Sequence, residues 1–181
     1  MKQINYRRDL YQLFPDVSEA VCVELGAAEG LFSRDMLNWG IKKLYTVDLW
    51  ESVPDRAGDI ASPQQWHNDN YKNAKKLLAP FGDRSEILRG YTTAMAGFVG
   101  DLSCDLVYID ADHSYQGVRS DVDSWWPKVK VGGVMAFHDY EMTHYGVKQA
   151  VNEFAYRLGL QVHLLPEDAL KDAGAYIIKE L

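Results

Sequence analysis

The chain has 181 residues, of which 47% are hydrophobic, 25% charged and 12% aromatic, and 26 acidic side chains against 19 lysines and arginines give a formal net charge of −7. A chain of this length is expected to form one domain, residues 1–181, which buries roughly 70% of the surface that the unfolded form exposes and has room for a nucleotide-sized pocket. Proteins that grip a nucleic-acid backbone usually carry a net basic surface, so the acidic balance argues against nucleic acid as a partner.

The two cysteines, Cys22 and Cys104, lie within apolar runs, far from any second cysteine or histidine at metal-ligand spacing. This context predicts buried free thiols, which suit a reducing compartment. The first residues, MKQINYRRDLYQLF, contain no apolar stretch of signal-peptide length, and no run approaches the roughly 20 apolar residues of a membrane span. The sequence therefore predicts a cytoplasmic protein with no membrane partner.

Apolar runs of strand length alternate with helical patterns along most of the chain, which is typical of parallel sheets with crossover helices. The runs that predict strands cover residues 20–26, 43–50, 85–91, 104–112 and 132–140. Helices are predicted at 31–40, 63–78, 93–98, 115–126 and 145–158, with Ser62 as the N-cap of the second. Two last strands, in LQVHLL and AYIIKEL, are separated by a polar segment too short for a packed helix, which predicts an antiparallel pair.

Ligands of such sheets bind at the carboxyl ends of the strands, where the strand order reverses. After the first predicted strand the chain reads Glu24-Leu-Gly26-Ala-Ala-Glu29-Gly30. This loop lacks the complete G-x-G-x-x-G of a dinucleotide site, and its carboxylates suit a ligand with a positive centre better than a pyrophosphate. Asp48 ends the second strand and is placed to bind ribose hydroxyls. Structural roles remain open as well: Gly30 could serve helix packing, Glu24 could be a solvated strand end and Asp48 could be a cap.

This half of the chain resembles the class I S-adenosylmethionine-dependent methyltransferases, whose first motif reads like VELGAAEG and whose second strand ends in an acid. The resemblance implies S-adenosylmethionine as the cofactor, with its methionine end beside Gly26, Ala27 and Glu29 and its ribose on Asp48. It also implies an adenine site near Gly90 to Thr92. The cofactor-binding residues expected on this basis are Glu24, Gly26, Ala27, Glu29, Gly30, Asp48, Leu49, Gly90, Tyr91, Thr92, Asp110 and Asp112.

Further ionisable side chains follow the fourth and fifth predicted strands. Asp110, Asp112 and His113 end the fourth strand, and His138 and Asp139 end the fifth. Carboxylates and imidazoles from neighbouring strands can bind Mg²⁺ or Mn²⁺ and leave positions open for a substrate. Such an ion would bind two substrate oxygens and lower the pKa of a hydroxyl group. The alternative is structural, with His113 and Ser114 capping the next helix and His138 as a core imidazole.

The second half resembles a methyltransferase family whose signature runs D-x-D-H-x-Y, then D, W, G-G and H-D, and which includes relatives of macrolide-sugar O-methyltransferases. It is more distantly similar to the metal-dependent catechol-type O-methyltransferases. The matching residues are Asp110, Asp112, His113, Tyr115, Asp121, Trp125, Gly132, Gly133, His138 and Asp139. The resemblance implies Asp110, His138 and Asp139 as ligands of a divalent metal, with His138 where relatives usually have Asp or Glu. It implies His113 as the general base, a role that suits an imidazole at neutral pH.

These patterns together predict a three-layer α/β fold that, by resemblance, has a doubly wound, mostly parallel seven-stranded sheet of order 3-2-1-4-5-7-6 with the last strand antiparallel. The expected reaction is methyl transfer from S-adenosylmethionine to a hydroxyl group of a small molecule or sugar. Three other functions remain open: an oxidoreductase with a nucleotide cofactor, a metal-dependent glycosyltransferase that uses Asp110-Ala-Asp112, and a non-catalytic cofactor-binding module. Tyr140, His144 and Tyr145 could face the substrate.

The motifs occupy most of the 181 residues and leave little chain for a substrate cap. We therefore expect a small or accessible acceptor, or a homodimer in which the partner subunit completes the pocket.

Overall fold

The computed structural model describes residues 4–54, 59–142, 146–166 and 173–180. The strands in these ranges are β1 (Val21–Leu25), β2 (Lys43–Asp48), β3 (Ser85–Arg89), β4 (Cys104–Ile109), β5 (Val129–Phe137), β6 (Val162–Leu165) and β7 (Gly174–Ile178). The α-helices are α1 (Leu31–Asn38), α2 (Gln64–Leu78), α3 (Thr92–Met95), α4 (Tyr115–Trp125) and α5 (Val147–Leu158). None of the helices in the described ranges is both long and apolar enough to cross a bilayer.

The strands form one sheet in the order β3-β2-β1-β4-β5-β7-β6. The pairs from β3 to β5 are parallel, whereas β7 runs antiparallel to both β5 and β6. The predicted fold class and strand order are thus confirmed. The chain leaves β1 toward β2 on one side and returns to β4 on the other, so the strand order reverses between β1 and β4. In open sheets the ligand crevice lies at the carboxyl ends of the strands on either side of such a reversal.

Helices cover both faces of the sheet because successive strand side chains point to opposite sides. On β1, Val23 and Leu25 join a buried cluster that includes Trp125 of α4. Cys22 points the other way and packs in a second cluster with Met36 of α1. The core therefore has two halves, one on each face, and the sheet between them fixes where the strand ends lie. The predicted burial of the two free cysteines is confirmed.

The start of the chain contributes to the second half of the core in a way that no periodic pattern predicts. Two 3₁₀ helices, Arg7–Leu13 and Val17–Glu19, precede β1, and Ile4 and Leu10 are buried. A 3₁₀ turn this short has no full hydrophobic repeat to detect. The prediction for α2 was one residue early, because Pro63 is the N-cap and the helix begins at Gln64.

Candidate functional site

Four ionisable side chains meet at the carboxyl ends of β4 and β5. One ligand atom from each of Asp110, His113, His138 and Asp139 lies within 4.8 Å of all the others. Nε2 of His113 is 3.2 Å from Oδ1 of Asp110 and 3.3 Å from Oδ2 of Asp139. Nδ1 of His138 is 3.4 Å from Oδ1 of Asp110 and 3.2 Å from Oδ1 of Asp139. These four residues are called the Asp–His cluster below.

The backbone after β5 explains how two consecutive residues reach the same cluster. The N–H group of His138 donates to the carbonyl of Ile109 at 3.0 Å and extends the pairing of β4 with β5 by one residue. Adjacent side chains on a regular strand would point to opposite faces. Asp139 has a φ of 54°, a left-handed conformation that Asp tolerates better than most residues. This turn lets both side chains contact Asp110.

Opposite charges hold the Asp–His cluster together against the cost of burial. Burial alone would raise the pKa of Asp110, but the imidazoles of His113 and His138, at 3.2 and 3.4 Å from Oδ1, hold the pKa of that carboxyl well below its usual range. Burial would lower the pKa of His138, but the carboxylates of Asp110 and Asp139 outweigh it and raise the pKa to about 10. At neutral pH the cluster therefore pairs an ionised Asp110 with a charged His138.

The donor atoms of the Asp–His cluster are suited to bind a divalent ion. Nδ1 of His138 is buried and has no hydrogen-bond partner of suitable geometry within the described ranges, although two carboxylate oxygens lie within 3.4 Å. A buried polar atom without a partner is rare and calls for an explanation. Imidazole nitrogen and carboxylate oxygen are both ligands of first-row divalent metals. Asp110, His138 and Asp139 could therefore hold such an ion.

In the loop between β4 and α4, the residues that cap the helix are not the residue whose ring enters the Asp–His cluster. Oδ1 of Asp112 accepts from the N–H of Ser114 at 2.9 Å, and Oγ of Ser114 accepts from the N–H of Gly117 at 3.0 Å. Capping of α4 is thus done by Ser114, with Asp112 fixing the turn before it. The ring of His113 points into the Asp–His cluster instead, so the capping alternative does not hold for this residue.

Gly146, a residue that sequence reasoning missed, supports the same loop. Its N–H group donates to the carbonyl of His113 at 2.9 Å, just before α5 begins. A Cβ atom at this position would lie 2.1 Å from the backbone nitrogen of Tyr115, so only glycine fits. A glycine before a helix carries no distinctive signal, because the contact joins residues more than 30 positions apart. Tyr140 is buried and donates to Oδ1 of Asn152 at 2.7 Å, whereas His144 and Tyr145 lie outside the described residues.

The loop after β1 lies directly against the Asp–His cluster. Gly26 has a φ of +85°, and a Cβ atom there would lie 1.9 Å from the carbonyl oxygen of Asp110. Only glycine permits this backbone contact. Gly30 also has a positive φ, of +79°, and packs against Ala74 of α2, so its packing role is real. Ala27 is buried and Glu29 is exposed, which leaves the outer edge of the loop open to solvent.

Asp48 ties the loops after β1 and β2 together. Oδ2 accepts from the N–H of Ala28 at 2.9 Å, and Oδ1 accepts from the N–H of Trp50 at 2.8 Å. The indole N–H of Trp50 donates in turn to the carbonyl of Ala28 at 2.8 Å. Burial raises the pKa of Asp48, and the two backbone donors oppose the rise. The capping alternative is therefore correct in part, and since each carboxylate oxygen has a second acceptor site, ribose hydroxyls could still bind.

Glu24 is not a solvated strand end. Glu24 is only 3% exposed, and its carboxyl accepts a hydrogen bond from Oγ of Ser33. The same Oγ atom lies 2.8 Å from Oγ1 of Thr46. Burial raises the pKa of Glu24 to about 8. This rise reduces the negative charge that Glu24 would offer a cationic ligand at neutral pH. The residue instead joins α1 to β1 and β2.

The loop after β3 is held by two residues of the signature in the second half of the chain. Oγ1 of Thr92 donates to Asp121, and the indole N–H of Trp125 donates to the carbonyl of Thr92 at 3.1 Å. Burial raises the pKa of Asp121 to about 7. Gly90 donates to the carbonyl of Asp48 at 2.9 Å, and Tyr91 is 62% exposed. Thr92 thus serves to anchor this loop to α4, and Tyr91 is the side chain left available to a ligand.

A family model described as a methyltransferase domain matches residues 23–140, which contain both the loop after β1 and the Asp–His cluster. The uncharacterized protein y4gI of Sinorhizobium fredii (strain NBRC 101917 / NGR234) is 29% identical over 106 residues, or 56% of this chain. The alignment spans only 10% of the length of that relative.

Solved structures share the fold at low sequence identity. The O-methyltransferase NovP has a TM-score of 0.68 and 19% identity, with 96% of this chain and 78% of NovP covered. An rRNA methylase from Streptococcus thermophilus has a TM-score of 0.64 and 15% identity, with 96% of this chain and 94% of that chain covered. Likeness at this level shows that the sheet and its helices correspond.

Proposed function

The chain belongs to the methyltransferase domain family, and on that premise we propose that it transfers a methyl group from S-adenosylmethionine to a hydroxyl group of a small molecule or sugar. One observation carries this proposal: the backbone of Gly26 touches the carbonyl of Asp110. A cofactor cradled by the loop after β1 would thus have its methionine end beside the Asp–His cluster. In this proposal, the loop after β1 and the Asp–His cluster therefore form a single site.

The residues proposed to bind S-adenosylmethionine lie on three loops. The proposed contacts of the glycine loop are Gly26, Ala27, Glu29 and Gly30, and the close approach of Gly26 to the Asp110 carbonyl fixes the position of this loop. Asp48 and the adjacent Leu49 take the ribose through the acceptor sites that Ala28 and Trp50 leave free. The other proposed contacts are Glu24 behind the loop, Gly90, Tyr91 and Thr92 toward the adenine, and Asp110 and Asp112 at the end of β4.

The proposed metal ligands are Asp110, His138 and Asp139. When bound, a divalent ion supplies a Lewis acid that lowers the pKa of the acceptor hydroxyl. The support for this proposal is the buried Nδ1 of His138, which lacks a hydrogen bond in the described part of the chain and lies beside two carboxylates. The chain itself fixes the ligands through the turn at Asp139 and the pairing of His138 with Ile109.

His113 is proposed as the general base. Its Nε2 atom faces the ligand carboxylates at 3.2 and 3.3 Å, so it lies where a hydroxyl held by the cluster would present its proton. When the ring of His113 is neutral with its proton on Nδ1, Nε2 would take the hydroxyl proton as the acceptor oxygen gains the methyl group that S-adenosylmethionine supplies when bound. Asp110 and Asp139 then stabilise the charged imidazole. The backbone bond from Gly146 keeps the His113 loop in register, and such alignment supplies much of the acceleration in a displacement reaction.

Calorimetry and a methyl-transfer assay test the proposal in two stages. We expect S-adenosylmethionine to bind purified protein while NADH and UDP-sugars do not, which would separate a methyltransferase from the oxidoreductase and glycosyltransferase alternatives. A library of hydroxylated small molecules is then screened with methyl-labelled cofactor. His113→Ala is expected to keep cofactor affinity and to lower the rate about 10²-fold or more. An unchanged rate would remove His113 as the base.

The acceptor and the oligomeric state belong to the same proposal. A net charge of −7 opposes approach to a phosphate backbone. We therefore favour a small acceptor over RNA, although the fold is shared with an rRNA methylase from Streptococcus thermophilus. A second copy of the chain is proposed to complete the acceptor pocket. Light scattering would show a dimer in this case, and methyl transfer to RNA in the labelled assay would contradict the small-molecule acceptor.

A further inference from the structure

The donor atoms of the Asp–His cluster bear on which ion it can hold. Two of the four donors are imidazole nitrogens and two are carboxylates. Mg²⁺ prefers an octahedral shell of oxygen atoms, whereas Mn²⁺, Co²⁺ and Zn²⁺ accept imidazole nitrogen as well. We infer that His138 makes the site selective for a first-row transition-metal ion over Mg²⁺, an inference that rests on the metal site of the proposed function.

The side chain of His138 has little freedom to move away from the Asp–His cluster. Its backbone is bonded to Ile109, and its ring lies against Tyr108 with 6.5 Å between ring centroids. The side chain is 16% exposed, and its Nδ1 atom is buried beside the oxygens of Asp110 and Asp139. An ion bound by these two carboxylates would therefore meet a nitrogen atom as its next neighbour.

Nearby acids do not offer a third carboxylate in its place. Among the described residues, the group of side chains close enough to share an ion contains no acid besides Asp110 and Asp139. Glu24 accepts from Ser33 on the α1 side of the sheet, and Asp48 accepts from two backbone N–H groups. The ligand shell thus has two negative charges, and it lacks the extra anionic oxygen that would favour a hard ion such as Mg²⁺.

Titration calorimetry of chelator-treated full-length protein with MnCl₂ and with MgCl₂ tests this inference without any need for turnover. We expect Mn²⁺ to bind at least about tenfold more tightly than Mg²⁺. Because most nitrogen- and oxygen-containing sites favour Mn²⁺ to some extent, the decisive comparison is His138→Asp, which replaces the nitrogen atom among the three proposed ligands with an oxygen atom. The ratio of the Mn²⁺ and Mg²⁺ affinities should fall about tenfold or more in this variant and stay unchanged in His163→Asp, a control on β6.

Pulsed electron paramagnetic resonance of bound Mn²⁺ gives a direct readout of the nitrogen ligand. We expect ¹⁴N coupling in the unmodified protein and its loss in His138→Asp. Coupling that survives in His138→Asp and disappears in His113→Ala would assign the nitrogen to His113 and overturn the inference. An unchanged affinity ratio in His138→Asp, or no ion binding at all, would overturn it too. Cofactor calorimetry separates this from the proposed function, because S-adenosylmethionine binding is measured in the absence of added metal.

Discussion

The loops after β1 and β2 differ from the ends of β4 and β5 in how their polar groups are satisfied. Asp48 accepts two backbone N–H groups, and Glu24 is bonded to Ser33, so the first region is held by bonds within the protein. At the second region, His138 keeps a buried nitrogen without a bond in the described ranges, beside two carboxylates. Folding alone satisfies the polar groups of the loops after β1 and β2, whereas the Asp–His cluster retains a buried nitrogen and carboxylate charge that a bound ion or protons could satisfy.

Gly26→Ala should produce the largest effect, because it breaks the contact between the two regions. The new Cβ atom would lie 1.9 Å from the Asp110 carbonyl in a left-handed conformation, and we expect a loss of about 3 kcal/mol or more in the free energy of unfolding. S-adenosylmethionine binding should disappear. Gly40→Ala is the matched control, since its φ is +91° and nothing lies within 4 Å of its added Cβ atom. It should cost only about 1 kcal/mol in urea denaturation.

Removing one carboxylate from the Asp–His cluster tests the dependence on an ion. With Mn²⁺ at about 100 times its dissociation constant, the unmodified protein should gain about 2.7 kcal/mol in the free energy of unfolding. Asp110→Asn should lose most of this gain, whereas Asp123→Asn, an exposed position on α4, should keep it. Denaturation curves with and without Mn²⁺ provide the measurement. Equal gains in Asp110→Asn and the control would show that Asp110 is not a ligand.

Asp48→Asn tests whether the cofactor loops are indeed held by the protein alone. Asn has a single acceptor oxygen and its amide NH₂ group only donates, so one of the two N–H groups, of Ala28 or Trp50, loses its partner at a cost of about 2 kcal/mol. Cofactor affinity should fall about tenfold or more for the same reason. Asp83→Asn, on the exposed turn before β3, controls for the loss of charge. Retention of full stability in Asp48→Asn would show that the two loops have other supports.

Glu24→Gln should have the smallest effect and a distinct dependence on pH. Burial raises the pKa of Glu24 to about 8, so the folded state holds this proton more tightly than the unfolded chain does. The stability associated with it is fully present below about pH 4.5 and is lost as the pH rises to about 8. Gln stays neutral, so the stability of the variant relative to that of the unmodified protein should be greater above pH 8 than below pH 4.5, and the gain should accrue between these two pH values. Parallel curves at both pH values would contradict the assigned pKa.

The sheet could be predicted from the sequence because each strand has its own apolar run and the resemblance supplies their order. The strand predicted at residues 104–112 is too long, because β4 stops at Ile109 and the polar residues Asp110 and Asp112 belong to the loop. The members of the Asp–His cluster were also predictable, since the carboxyl ends of neighbouring parallel strands meet at one edge of the sheet.

The contacts that support the site could not be predicted in the same way. Thr92 and Asp121 lie 29 positions apart, and their bond depends on how α3 packs on α4. The double role of Asp48 depends on the left-handed φ of Ala28, which a sequence pattern does not reveal. The protonation of Glu24 follows from burial behind α1, whereas its place in the motif predicts a charge. These features all arise from tertiary packing rather than from local sequence.

Two requirements at position 139 restrict which residues can replace Asp139. Its side chain must supply an oxygen to the cluster, and its backbone must tolerate a φ of 54°. Glutamate meets the first demand and strains the second, whereas glycine meets only the second. Asparagine alone preserves the backbone shape and an oxygen atom while removing the charge. Asp139→Asn is therefore the substitution that separates the architecture of this corner from its chemistry.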